Sequence, residues 1–213
     1  TYFGTFVSKK ISNPIKKAGN IIIISAPSGA GKSSICEAVL AEGKKNISYS
    51  ISYTTRYPRK GEENGKNYYF ISEDKFKQMI KEKKFAEWAK VHGNYYGTSK
   101  EFLNKTLGVG KNIILEIDVQ GGTSIKKQYP NNSCMIFIMT PDFKTLEKRL
   151  MVRNKDCKDT ISMRMLNAKK ELKYLPKYEY LVINKKLDEA VKAVKTIIKS
   201  LEYKIEKGRI YFA

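Results

Sequence analysis

The tightest constraint in this chain is the stretch from Ile21 to Ser34, I-I-I-I-S-A-P-S-G-A-G-K-S-S, where four consecutive isoleucines run into a glycine-rich turn. Four branched apolar residues in a row leave no polar face, so the segment suits a strand buried on both sides, as in a parallel sheet. Beyond Lys32 the apolar residues Ile35, Ala38 and Val39 fall at helical spacing. Strand, glycine turn and helix in that order predict an α/β protein with a phosphate-binding turn.

The residue types in the turn suit that chemistry. Gly29 and Gly31 can adopt angles closed to other residues, which lets the N–H groups of Ser28, Gly29, Ala30 and Gly31 surround phosphate oxygens at the positive end of the following helix. Lys32 is placed to reach the β- and γ-phosphates of a nucleotide, Ser33 carries the hydroxyl expected on Mg²⁺, and Ser34 stands near the α-phosphate. One departure is visible. The P-loop pattern G-x-x-x-x-G-K-[ST] has glycine where this chain has Ala26, and Pro27 after it favours an extended conformation that needs no glycine.

At 213 residues the chain has room for one α/β domain with insertions or for two small domains. Lys and Arg number 41 against 21 Asp and Glu, a formal +20, which favours anionic partners. The lysines are scattered (Lys75, Lys77, Lys81, Lys83, Lys84; Lys192, Lys195, Lys199) and no nucleic-acid signature accompanies them, so the expectation is a solvated face without specific nucleic acid. Cys36, Cys134 and Cys157 form no C-x-x-C pair, which points to neither disulfides nor zinc and to a reducing, cytoplasmic setting. No apolar run is long enough to span a bilayer, so no membrane partner is expected. Residues 1–19 read as a basic N-terminal extension.

Along the chain, Ile47 to Ser52 alternates as a strand, and Thr54 to Phe70 is mostly loop, closing into a short strand at Tyr68 to Ile71. Ser72 caps a helix with Lys75 at its third position. Phe85 to Val91 and Tyr95 to Thr98 read as a hairpin turning at His92-Gly93-Asn94; plain alternation would bury Ala86 and Trp88 and expose Glu87. Ser99 starts a helix of about ten residues. The runs ending at Asp118 and Met139 are further buried strands and Tyr180 to Ile183 is a fourth strand; Gly121-Gly122 turns into another helix. Asp142 to Tyr174 is helical with a polar break at Asn154 to Asp159, the pattern of a mobile flap, and Leu187 to Ile205 is one amphipathic helix. The predicted fold is a parallel sheet wrapped by helices, with an inserted small mixed-β lobe and a helical lid. Residues 20–50, 101–142 and 175–213 make the core, 51–100 the lobe and 143–174 the lid.

Four stretches in order, A-P-S-G-A-G-K-S-S, S-Y-T-T-R-Y-P-R-K-G-E-E-N-G-K-N-Y-Y-F, F-A-E-W-A-K-V-H-G-N-Y-Y-G-T and I-L-E-I-D-V-Q-G, resemble guanylate kinase from about Asn20 to Glu202. The resemblance implies Mg²⁺-dependent transfer of the ATP γ-phosphoryl group to GMP by a monomer. It implies that Arg56, Arg59, Tyr68 and Tyr96 hold the GMP phosphate, where two guanidinium forks suit the chemistry. Glu87 would accept the guanine N1–H and amino hydrogens while Ser52 and Thr98 touch the ring edge, a pattern that rejects adenine. Asp118 fits the acid that holds Mg²⁺, with Glu116 and Gln120 beside it on the GMP side. Arg149, Arg153 and Arg164 match lid arginines that close on the ATP phosphates, and Asn184 would approach adenine. The lid tip R-N-K-D-C-K-D and Lys185 after Asn184 depart from the usual pattern. Retention of Lys32, Ser33, Arg56, Arg59, Glu87 and Asp118 disfavours a non-catalytic interaction module, and Glu87 with Ser52 disfavours a kinase for another nucleotide. His92 reads as a surface turn residue.

Overall fold

A computed structural model of the chain describes residues 19–43, 47–91, 93–153 and 158–204. The expectations for residues 1–18, His92, Cys157, most of the lid tip and Ile205 lie outside the described residues. In chain order the elements are β1 (Ile21–Ser25), α1 (Lys32–Gly43), β2 (Ile47–Tyr49), β3 (Tyr53–Thr54), β4 (Tyr69–Phe70), α2 (Glu73–Lys81), β5 (Phe85–Val91), β6 (Asn94–Ser99), α3 (Lys100–Gly108), β7 (Asn112–Glu116), α4 (Val119–Gln128), β8 (Ser133–Met139), α5 (Phe143–Arg153), α6 (Lys158–Leu172), β9 (Tyr180–Ile183) and α7 (Leu187–Ser200).

The isoleucine strand is the middle of a five-stranded sheet ordered β2-β7-β1-β8-β9, parallel throughout. Ile21, Ile22, Ile23 and Ile24 are fully buried because helices cover both faces. Ile22 and Ile24 pack under α1 and α7 with Ile35, Val39, Val191 and Val194, whereas Ile21 and Ile23 pack with Leu103 and Leu107 of α3 and Ile125 of α4. Leu146 and Leu150 of α5 and Ala168 of α6 close a third cluster over Ala30.

A separate mixed sheet is ordered β4-β3-β6-β5, with β3–β4 parallel and the other pairs antiparallel. Phe76 and Met79 of α2 pack against its Phe85. The run Ile47 to Ser52, read as one strand, is divided between the two sheets. The Ser50 N–H still donates to the Ile114 carbonyl of the parallel sheet, while the Ser52 carbonyl accepts from Tyr69 in β4. Ser52 therefore stands where the chain crosses from one sheet to the other.

Helix starts follow their caps. Ser72 accepts from the Lys75 N–H and Ser99 from the Phe102 N–H. α4 begins at Val119, ahead of the expected glycine turn. Asp118 is its N-cap, its carboxylate accepting from the Gly121 N–H, and both glycines lie inside the first turns. α7 ends at Ser200 in a short 3₁₀ turn.

Candidate active site

The carboxyl ends of β1 and β7 bring the sequence-predicted residues to one place. After β1, Gly29 and Gly31 hold φ of +88° and +90°, the left-handed region in which a side chain is strained. A turn closes from the Ala30 N–H to the Pro27 carbonyl, and α1 begins directly with Lys32. The loop is also packed from outside. A Cβ on Gly29 would come within 3.0 Å of Leu150, and one on Gly31 within 2.3 Å of the Asn184 Nδ2.

A cavity of about 150 Å³ lies between the two sheets, lined by Lys32, Ser52, Tyr68, Glu87, Tyr96, Glu116 and Asp118 among others. Lys32 enters from the loop and its Nζ donates to the Ile117 carbonyl at 3.4 Å. Glu87 enters from β5. Here the plain strand alternation fails: Trp88 is 47% exposed and Glu87 only 6%. The pairing Phe85↔Ser99 followed by Glu87↔Thr98 marks an irregularity that inserts one residue, and such a bulge re-aims side chains. The Thr98 hydroxyl donates to Glu87 Oε1 at 2.6 Å, so Thr98 orients the acid. Burial raises the Glu87 carboxyl to about 7; the Thr98 bond draws it down and the nearby Asp118 charge pushes it up.

Glu116 is fastened by two hydroxyls. Ser33 Oγ donates to its Oε1 at 2.6 Å and the Tyr49 OH to its Oε2 at 2.9 Å. Asp118, in contrast, is engaged by the Gly121 N–H and by Gln120 Nε2 at 3.3 Å. The acid that touches the P-loop serine is thus Glu116. Burial, with the Glu116 charge next, drives the Tyr49 phenol far above its ordinary range and lifts Tyr68 to about 12, so both remain protonated donors.

Arg56 lies beside the cavity, its guanidinium 5.4 Å from the Tyr68 ring centroid and bidentate on Glu62 at 2.9 and 3.0 Å. Arg59 offers its backbone N–H to the same Glu62, while its side chain is exposed. Arg149 donates to the carbonyls of Asn184 and Lys185, and Arg164 to the Ser28 hydroxyl at 3.4 Å. Arg153 is placed only as the last residue of α5. Asn184 is 4% exposed and donates from Nδ2 to the Ala30 carbonyl at 2.8 Å, so its amide braces the loop. Ser34 and Gln120 are exposed at the rim.

Three participants escaped the sequence reading. Glu62 is an acid six residues beyond Arg56 in a basic loop, and Tyr49 is a phenol on the inward face of a strand. Glu171 falls one turn beyond the buried Ala168 on α6, a helical spacing that points an acid inward. Its burial raises the carboxyl to about 7, with Lys32 drawing it down and Asp118 pushing it up.

The donors present fit a hard cation shared with a nucleotide: a serine hydroxyl and two carboxylates at the mouth of a phosphate loop. Among the described residues there is no cluster of three or more acids, histidines or cysteines able to cage a metal alone. No described helix is long and apolar enough to cross a membrane.

Comparison with known proteins converges on one family. The family model described as guanylate kinase matches residues 18–201. Guanylate kinase of Caldanaerobacter subterraneus subsp. tengcongensis is 45% identical over 195 residues, which cover 92% of this chain and 94% of the relative. That of Wolinella succinogenes is 43% identical over 185 residues, covering 87% and 86%. The crystal structure of guanylate kinase from Anaplasma phagocytophilum is similar with a TM-score of 0.76 and 28% identity, over 91% of this chain and 92% of that one.

Proposed function

The chain belongs to the guanylate kinase family, whose members are ATP:GMP phosphotransferases, and on that premise we propose how its residues divide the work. The single observation that carries the reading is the cavity itself, which Glu87 and the P-loop Lys32 line together with Glu116 and Asp118. The acid selects the acceptor and the lysine serves the donor.

Glu87, oriented by Thr98, accepts the guanine N1–H and amino hydrogens, and Ser52 closes on the ring edge. An adenine in the same place presents an acceptor at N1 and no 2-amino group, leaving a buried carboxylate unpaired. Arg56 holds the GMP phosphate with Tyr68 and Tyr96, and Arg59 joins when its exposed side chain swings inward. Asp118, Glu116 and Gln120 border the nucleoside. The N–H groups of Ser28 to Gly31, with Lys32, Ser33 and Ser34, cradle the ATP phosphates, and Asn184 keeps that cradle in shape. Arg149, Arg153 and Arg164 bring charge from the lid, which we take as residues 143–174, toward the lobe of residues 51–100.

Ser33 and Asp118 would hold Mg²⁺, which supplies neutralisation of charge on the transferring phosphoryl group. Every other contribution is positional and electrostatic: the lobe orients the GMP oxygen, Lys32 neutralises phosphate charge, and closure excludes water. No side-chain base is needed.

The test is ADP formation with GMP, AMP, UMP and dTMP as acceptors, for the wild type and Glu87→Ala. Turnover with GMP alone, falling sharply in the variant, is expected. Equal rates across acceptors, or an unchanged variant, would refute the assignment of base choice to Glu87.

A further inference from the structure

Tyr49 and Glu116 are brought together by register. β2 pairs with β7 so that Tyr49 lies opposite Ile114, and Glu116 is two residues further on, hence on the same face. The Tyr49 ring packs against the cluster under α1 that holds Ile22, Ile24 and Ile35. Phenylalanine would fill that place equally well; what tyrosine adds is a hydroxyl at the edge of the core. That hydroxyl reaches Glu116 Oε2 at 2.9 Å, while Oε1 receives the Ser33 proton at 2.6 Å.

Two donors on two oxygens fix both the position and the rotation of a carboxylate. A serine hydroxyl has one hydrogen, and giving it to Glu116 leaves its lone pairs available elsewhere. We propose that Tyr49 is a positioning residue for phosphoryl transfer: it anchors Glu116, which orients the Ser33 hydroxyl so that its lone pairs face the cation bound with the nucleotide. The inference rests on the reading that Ser33 meets that cation. It adds a residue from the edge strand that never touches substrate.

Four proteins test it: the wild type, Tyr49→Phe, Ser33→Ala and the double variant. The probe is Mn²⁺, whose binding to each ADP-loaded protein is followed by electron paramagnetic resonance. Tyr49→Phe should weaken Mn²⁺ binding by about tenfold, the size of effect seen for groups that orient metal ligands. Adding Tyr49→Phe to Ser33→Ala should produce no further loss, because the two act in series. Wild-type Mn²⁺ affinity in Tyr49→Phe, whether or not its thermal midpoint falls, would make Tyr49 a packing residue and overturn the proposal. An equal added loss in the Ser33→Ala background would overturn the relay through serine. Wild-type ADP binding that is indifferent to Mn²⁺ would remove the cation reading itself, and the proposal with it.

Discussion

Glu87 and Gly121 touch across the boundary between the two sheets: a Cβ on Gly121 would stand 2.6 Å from Glu87 Oε2 and 3.1 Å from its carboxyl carbon. The acid proposed to select the base therefore leans on a bare stretch of helix backbone. Alanine inside a helix is ordinarily favoured over glycine by about 1 kcal/mol. Here the contact is far inside van der Waals distance, so the substitution displaces the carboxylate. Gly121→Ala should raise the KM for GMP by about tenfold or more while changing the KM for ATP by less than about twofold. Initial-rate kinetics with each substrate varied in turn check this.

Acidity of Glu87 sets a pH dependence. In the role proposed for it the ionised form is the acceptor guanine needs, and its carboxyl is raised to about 7. As pH falls through that value the proton occupies the oxygen that should accept, so GMP binding weakens by about tenfold per pH unit below it. Fluorescence of Trp88, the single tryptophan, on the same strand, reads the titration. Flat affinity from pH 5.5 to 8 would contradict it.

The same group bears on stability with a definite sign. A carboxyl raised from 4.5 to about 7 in the fold stabilises the protein below 4.5, and that contribution is lost as pH rises through 7. Replacing it by a neutral amide removes the penalty of a buried charge. Glu87→Gln should therefore be more stable than the wild type at pH 8 by about 3 kcal/mol, with the difference vanishing near pH 4. Urea unfolding at the two pH values measures it, and the variant should lose GMP turnover.

Glu62 prepares Arg56. Its carboxylate takes both bonds from one guanidinium nitrogen and the Arg59 N–H as well, with side chains 15% and 18% exposed for Arg56 and Glu62. Burial alone would raise the Glu62 carboxyl, but the Arg56 bond and the Arg59 N–H outweigh it and hold it below its ordinary value. Glu62→Ala should free the fork and raise the KM for GMP by about tenfold, with the KM for ATP little changed. An unaltered GMP KM would show that Arg56 finds its place without this partner.

Asn184 is the brace of the phosphate loop. Removing its Nδ2 leaves the Ala30 carbonyl buried without a donor, a loss of about 1 to 3 kcal/mol. Asn184→Ala should lower stability by that amount and raise the KM for ATP several-fold. Asn184→Asp, which sets a carboxylate oxygen against a carbonyl oxygen, should be worse than alanine in both respects.

The parallel sheet was legible because its strands announce themselves: Ile21 to Ile24 and Cys134 to Met139 are too uniformly apolar to lie anywhere but between two helical layers. Caps were equally plain, as Ser72 and Ser99 show. What eluded the sequence depends on register between distant strands. Nothing local says that Tyr49 reaches Glu116, because that follows from pairing β2 with β7. Nor does strand alternation foretell that Trp88 turns outward and Glu87 inward, since a bulge shifts the count by one. The glycines after Asp118 read as a turn although they lie in the first turns of a helix, because Gly121 makes room for Glu87 and Gly122 for Ile23 rather than reversing the chain.

The irregularity in β5 means that the proposed recognition of guanine depends on the parity of a short stretch of chain as well as on the identity of its acid. If the strand kept Ala86 but paired without the bulge, strict alternation would put Glu87 on the face of Phe85, turning the carboxylate away from the cavity and the indole toward it. A change that straightened the strand at that point would silence the acceptor side while leaving every residue named in the phosphate loop unchanged.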